Sequence, residues 1–457
     1  MVAAAMSPDF SIHSYGEVPT DIMRLPWQHL KQEVEGIGKR ARFKQVTSHR
    51  TLLRGANAKM DEYVLKQALA KQAPEEANWL TNILDLGRWS SSRLGDFQQD
   101  NDGTCVHCGQ ADADLLHLLW DCTCLDKERY EDDSDLRTLR RSMLPANWQL
   151  GIPGALHAEE DEFLWPVPDP TEVSNLPGFA KAHRKCQLHP EARGLLQARG
   201  QHERALNARQ YVASKKVAPY LLQPPMPGPC DETAPDEPNV FTDGSLKHPA
   251  CQHWSLGGMG VWWPSRNLQD HPLSDMERNF SVWEVGENCL SLWGAITGAR
   301  CSSLRTELSA GILAASGPGP AHQATDSKAY QVKVNKMLAG QNLTAKKPWS
   351  LQPDGDLWSI MEDAIRMKGR ASLRVTWTKG HATEEHFAKG TSSPLLKLGN
   401  DTADKVADRG VLDHCGGLFQ LVHYYSSKQR YGKDLLVRIH NMFIRVLKAD
   451  KVKRELQ

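Results

Sequence analysis

Four acids in the second half of this 457-residue chain could do chemistry together: Asp243, Glu307, Asp326 and Asp404. Asp243 closes the stretch Asn239-Val-Phe-Thr-Asp-Gly-Ser245, in which Val240, Phe241 and Thr242 read as a short buried strand and Gly244 as the turn ending it. A carboxylate at the end of a buried strand is costly unless its charge is compensated. Taken alone, the segment reads equally well as a turn acid capping its own backbone. Glu307 borders the apolar stripe Leu304, Leu308, Ile312 and Ala315 of a helix expected over Ser303–Ser316. Asp326 ends a strand, Ala321–Thr325, that is more polar than a buried central strand should be, and Ser327 is placed to cap the following helix. Asp404 sits about one turn into a helix opening at Gly399, with Asn400 or Asp401 as cap and the small Ala403 and Ala407 beside it.

Four converging carboxylates suit hard divalent cations, Mg²⁺ or Mn²⁺, which prefer oxygen ligands and, for Mg²⁺, retain several waters. Two such ions about 3.5–4 Å apart supply what phosphodiester hydrolysis needs, an attacking hydroxide and a stabilised leaving oxygen. Asp243 would bridge both ions, Glu307 and Asp326 would hold the one on the leaving-group side, and Asp404 the one beside the attacking water. His381, in the loop Lys379-Gly-His381 after a strand at Ser372–Trp377, suits proton transfer or product release.

A second cluster lies upstream. Thr104-Cys-Val-His-Cys-Gly-Gln110 and Asp114-Leu-Leu-His-Leu-Leu-Trp-Asp-Cys122 give the spacing C-x2-C-x8-H-x4-C. Cys105, Cys108, His117 and Cys122 are the donor set of a closed tetrahedral zinc site, which is structural because no position remains for water. His117 and Cys122 are expected on one side of a helix, and His107 and Cys124 are spare candidates. This knuckle, with the Trp/Leu-rich helix before it (Trp79, Leu80, Ile83, Leu84, Leu86), resembles the zinc-binding region following the polymerase in non-LTR retrotransposon proteins. Tyr130-Glu-Asp-Asp133 superficially copies a polymerase signature, but no strand surrounds it, and 126–135 reads as a solvated charge run.

The motifs Thr-Asp-Gly-Ser (242–245), Thr-Glu-Leu-Ser-Ala (306–310), Thr-Asp-Ser (325–327), Lys-Gly-His-Ala (379–382) and Gly-Asn-Asp-x-Ala-Asp (399–404) follow one another in the order of the type 1 ribonuclease H family, which this region resembles. The resemblance implies an α/β fold, a mixed five-stranded sheet flanked by helices, and endonucleolytic cleavage of the RNA strand of an RNA–DNA hybrid. The segment 382–399 and the region 265–300 are longer than the family pattern. An integrase-like or transposase-like nuclease is disfavoured by the Lys-Gly-His loop and the Asn-Asp-x-Ala-Asp helix. A nucleic-acid-binding remnant that keeps the fold and has lost turnover is the other reading.

Lysine plus arginine equals aspartate plus glutamate at 55 each, so net charge suggests no partner and local charge must be read instead. The ten cysteines are scattered outside 105–124, which favours a reducing compartment, cytosol or nucleus. No apolar run approaches the length of a bilayer span, and the N-terminus lacks the pattern of a signal peptide. The expected layout is a lead-in with a basic stretch (1–60), a helical zinc module (61–140), a helical region with a proline-rich linker (141–235), the ribonuclease H domain (236–412) and a basic amphipathic helix (413–457). In that last helix Leu435, Ile439, Met442, Phe443 and Val446 form a stripe, and Lys433, Arg438, Arg445, Lys448, Lys451, Lys453 and Arg454 supply charge. Packing on the preceding domain or nucleic-acid contact would each explain it; the basic run Lys39–Lys59 reads as a solvated helix face or, alternatively, a phosphate-contacting surface.

Overall fold

The computed structural model describes residues 60–153 and 188–456 except 86, 88–89, 98–101, 134–135, 138–140, 142–143, 145, 205–207, 217–223, 252 and 297–300, together with 11–12, 20–21, 45 and 48. The basic side chains of Lys39–Lys59 therefore lie outside the described residues. The chain forms two compact units, one from Met1–Gln32 with Leu188–His423 and one from Glu33–Gln187 with Tyr424–Gln457.

Two glycine-containing strands, β1 (Val240–Lys247) and β2 (Leu256–Trp263), pair antiparallel at the centre of the first unit. Helix α1 (Asp275–Phe280) and strands β3 (Val282–Val285) and β4 (Leu290–Ala295) follow. Then come α2 (Ser303–Ala315), β5 (Ala321–Thr325), α3 (Lys328–Leu338), α4 (Gly355–Lys368), β6 (Leu373–Trp377), α5 (Glu384–Ala388) and α6 (Pro394–Leu412). The sheet order is β3-β4-β2-β1-β5-β6, antiparallel from β3 to β1 and parallel from β1 to β6.

The sheet thus has six strands where five were expected. The stretch Phe280–Val285, which alternates like a strand in the sequence, holds the added edge strand β3 at Val282–Val285. Its apolar residues are exposed, and Phe280 belongs instead to α1, whose start is fixed by reciprocal Ser274–Glu277 capping. The strand beside β2 is Leu290–Ala295, which sequence reading passed over. With Ser291, Gly294 and Ala295 among only six residues, it carries little β-former signal, and burial decides it.

One face of the sheet packs Val240, Val261 and Leu292 against Leu308 and Ile312 of α2, with Tyr330 and Trp358 behind them. Phe241, Ala324 and Ala403 form a smaller cluster on α6. Helix α6 can lie this close because β2 carries glycine where they meet: a Cβ on Gly258 or Gly260 would overlap the Ala407 backbone.

In the second unit, helices Glu62–Leu69 and Pro74–Leu84 bury Val64, Leu65, Ala68, Leu80 and Ile83. A 38-residue helix, α7 (Leu418–Glu455), supplies from Tyr424 onward the rest of this core. Its stripe Leu435, Ile439, Met442, Phe443 and Val446 is 2 % exposed or less, and Phe443 meets Trp120 edge-on at 5.6 Å. Part of the helix's basic charge is paired with this unit's acids: Arg438 pairs with Asp133, Arg445 with Asp132, Lys448 with Glu76 and Arg454 with Asp450. The run 126–135 is accordingly not a solvated charge run throughout. Asp133 faces Arg438, and Arg129 is 1 % exposed, donating to the carbonyls of Leu118, Leu119 and Cys122. Among the described residues no helix is long and apolar enough to cross a membrane.

Candidate active site and metal centres

Asp243 lies within β1, opposite Gly260 of β2, and its Oδ1 accepts from the Gly244 amide at 2.7 Å. The glycine that follows has a steric reason. A Cβ on Gly244 would stand 2.5 Å from the Glu307 nitrogen, so only glycine lets α2 bring Glu307 alongside Asp243. Asp326 leaves the end of the neighbouring parallel strand β5. Asp243, Glu307 and Asp326 each present a carboxylate oxygen, and these lie within 4.8 Å of one another. Asp404 stands outside that group, on α6, but its negative charge acts on both Asp243 and Asp326.

Asp243 and Glu307 are buried, 6 % and 7 % exposed. Burial, reinforced by the Asp326 charge, pushes the Asp243 carboxyl up to about 7. Burial and the neighbouring Asp243 push Glu307 well above the ordinary carboxylate range. Asp326 is also raised, chiefly by burial, with His381 opposing. Glu307 Oε2 is fully buried without a hydrogen-bond donor. Such an orphaned, crowded set of hard oxygen donors costs free energy by itself and fits a divalent cation of the Mg²⁺ type.

His381 is exposed, at a positive φ of 49°, on the loop leaving β6. The longer segment before Asp404 is built differently from its sequence expectation. Residues 384–388 form α5, and α6 already begins at Pro394, with the Ser393 hydroxyl accepting from Leu396 N. Asn400 and Asp401 therefore do not cap the helix, and Asp404 lies nearly three turns into it rather than one. Pro394 at the first helical position, after a serine, was the readable signal.

Strand β5 is buried at every position despite its polarity. His322 meets the Pro235 carbonyl at 2.9 Å and Thr376 Oγ1 at 3.0 Å; Gln323 donates to the Gly311 carbonyl and accepts from the Tyr330 hydroxyl. Partnered polar groups are tolerated in a core, so the polar strand is compatible with a central place.

The second cluster brings Cys105, Cys108, His117 and Cys122 together, their donor atoms within 4.8 Å of one another. Cys105 Sγ and Cys122 Sγ are 3.8 Å apart, and Cys108 Sγ is 3.4 Å from His117 Nε2. With bonds of about 2.3 Å to sulfur and about 2.0–2.1 Å to nitrogen, tetrahedral zinc sets edges of about 3.8 Å and about 3.5 Å. The donor set and spacing fit zinc. In an α-helix, residues five apart diverge by about 140°. Here His117–Asp121 is a π-helical turn, closed by Cys122 N to the His117 carbonyl at 2.8 Å, and the wider turn brings both ligands to one side. Of the spare candidates, His107 contacts Asp450 at 3.2 Å and Cys124 is exposed; neither joins the cluster. Sequence reading also missed Arg129, whose guanidinium holds the carbonyls around the π turn, because a lone arginine in a charged run gives no signal.

No protein-family model and no curated protein matches the sequence. Solved structures similar to part of the chain include the solution structure of the PFV RNase H domain (22 % identity, 38 % of this chain and 93 % of that one, TM-score 0.25). A foamy viral protease–reverse transcriptase bound to an RNA/DNA hybrid is 20 % identical over 42 % of this chain and 22 % of that one, with a TM-score of 0.24. A type 1 RNase H with the type 2 active-site motif is 14 % identical over 42 % of this chain and 77 % of that one, with a TM-score of 0.25.

Proposed function

We propose that the first unit, over about 236–412, is a ribonuclease H of type 1 that cleaves the RNA strand of RNA–DNA hybrids endonucleolytically, in a protein of retroelement origin. The observation carrying this reading is the convergence of Asp243 from β1, Glu307 from α2 and Asp326 just after β5 within 4.8 Å, with an unpartnered Glu307 oxygen among them. The order of the motifs along the chain adds to it, since Asp404 follows on α6 and the Lys379-Gly-His381 loop precedes it.

In this mechanism cations facing Asp243 and Glu307 would favour their ionised forms, which burial and mutual repulsion otherwise oppose. When bound, paired divalent ions supply the activated water and the stabilised leaving oxygen. Asp243, on which Glu307, Asp326 and Asp404 all act, would contribute to both ions. Glu307 and Asp326 would hold the ion on the leaving-group side, and Asp404, outside their group, would hold the one beside the attacking water. His381, exposed on its loop, is free to move a proton or to help release product. The hybrid would be selected by duplex shape and the RNA strand by its 2′-hydroxyls.

The second unit is assigned a structural zinc at Cys105, Cys108, His117 and Cys122. Its role is to close the π turn against α7, so that the metal organises this small core. The test of the catalytic reading is incubation of the purified protein with a labelled RNA–DNA hybrid, with Mg²⁺ and with EDTA. Metal-dependent internal cleavage of the RNA strand supports it. Tight hybrid binding with no cleavage would leave the non-catalytic remnant.

A further inference from the structure

Asp326 lies between two elements and within neither. The last pair of the β5–β6 ladder is Thr325 with Trp377, and α3 begins at Lys328. The first hydrogen bond of that helix goes from Gln331 N to the Ser327 carbonyl, so it leaves the Asp326 carbonyl unused. That carbonyl instead accepts from the indole Nε1 of Trp377 at 2.9 Å. The ring is 42 % exposed, an unfavourable place for so large an apolar surface, and the Lys328 ammonium stands 5.7 Å from its centroid. Gly380 abuts the carboxylate so closely that a Cβ there would overlap Asp326 Oδ2.

The geometry points to Trp377 as a positioning residue: its indole N–H fixes the peptide after Asp326 and thereby holds the carboxylate facing Asp243 and Glu307, with Gly380 leaving room beside it. This rests on the proposed metal-dependent reading of the site. Residues that orient metal ligands typically change metal affinity by 10–100-fold, and a single neutral hydrogen bond to a backbone carbonyl belongs at the lower end, about tenfold.

The test is calorimetric titration of the zinc-loaded full chain with Mn²⁺, with Asp243→Asn as the blank for binding elsewhere. Trp377→Phe keeps an apolar ring and loses the N–H, whereas Trp377→His keeps a ring N–H and loses area. The expected result is about tenfold weaker Mn²⁺ binding in the phenylalanine variant, substantially recovered in the histidine variant, with thermal unfolding in EDTA close to the parent. Unchanged affinity in Trp377→Phe, or equal weakening in both variants, overturns the inference, as does a parent that binds no Mn²⁺ beyond the blank. Hybrid cleavage is measured on the same samples. A parent that binds Mn²⁺ but cleaves nothing refutes the catalytic reading while the affinity series still tests Trp377. A cleaving parent with an unaltered Phe variant refutes only the role of Trp377.

Discussion

Replacing Asp243 by asparagine should make the metal-free protein more stable while abolishing cleavage. In the parent the folded-state carboxyl is raised from 3.8 to about 7, and 6 % exposure leaves little water to screen it. A raised acid means that the native state binds more protons than the unfolded state between those limits. Stability therefore falls as pH climbs from about 4 to about 7 and is flat above. Three units correspond to about 4 kcal/mol, a ceiling because Glu307 and Asp326 titrate with it. Asparagine keeps an oxygen for the Gly244 amide and can donate to Glu307, so relief of the charge should appear almost undiluted. For a unit of this size that is roughly 8–16 °C in unfolding temperature at most. The assay is thermal unfolding in EDTA at pH 4, 6 and 8, comparing parent and variant. The variant should gain several degrees at pH 8 and nothing at pH 4, and added Mg²⁺ should stabilise only the parent. An asparagine variant no more stable than the parent at pH 8 would refute the crowding argument. Undiminished hybrid cleavage by it would refute the metal site.

Metal analysis of the full chain should find about one zinc. Cys105→Ser with Cys108→Ser should lose it together with protease resistance of the second unit; an equally resistant, zinc-free variant would remove the site. His381→Ala should lower kcat by about 10²–10⁴-fold if it transfers a proton, less if it acts in release, with hybrid affinity in Mg²⁺-free buffer nearly unchanged. Equal loss of affinity and rate would make it a substrate contact. His440 is fully buried against the Gly151 carbonyl at 3.0 Å, and burial lowers its pKa from 6.5 to about 4. A depressed histidine stabilises fully above pH 6.5 and loses that contribution as pH falls through 4, here about 3 kcal/mol. Urea unfolding followed by tryptophan fluorescence of the second unit should show this slope in the parent and not in His440→Gln.

How much could be read beforehand differs from element to element. The grouping of Asp243, Glu307 and Asp326 was legible because Asp243 and Glu307 interrupt apolar patterns and all three fall in short motifs that follow one another in a fixed order. The grouping of Cys105, Cys108, His117 and Cys122 was legible because their spacing stands out in an otherwise scattered set of cysteines. The polar β5 misled because periodicity measures side-chain hydrophobicity, whereas His322 and Gln323 are accommodated by partners distant in sequence: Pro235, Thr376, Gly311 and Tyr330. Leu290–Ala295 was missed for the converse reason: glycine and alanine there fit neighbours that only the fold supplies. The start of α6 was misplaced because Asn400 and Asp401 look like caps, while the Ser393-Pro394 signal lay inside what read as a loop.

The return of α7 to the cysteine-knuckle unit has a consequence for biosynthesis. Residues up to 153 emerge from the ribosome about 270 residues before Tyr424, so the early half of that core must wait for its closing helix. At about 5–20 residues per second the delay is roughly 15–55 s. During it Trp120 has no Phe443 to cover it, while the sheet unit between can already fold. Early zinc capture at 105–122 would hold the waiting half in shape. The nascent chain is thus most exposed to chaperones and proteases in that interval, and shortening it from the C-terminal side leaves the interval permanently open.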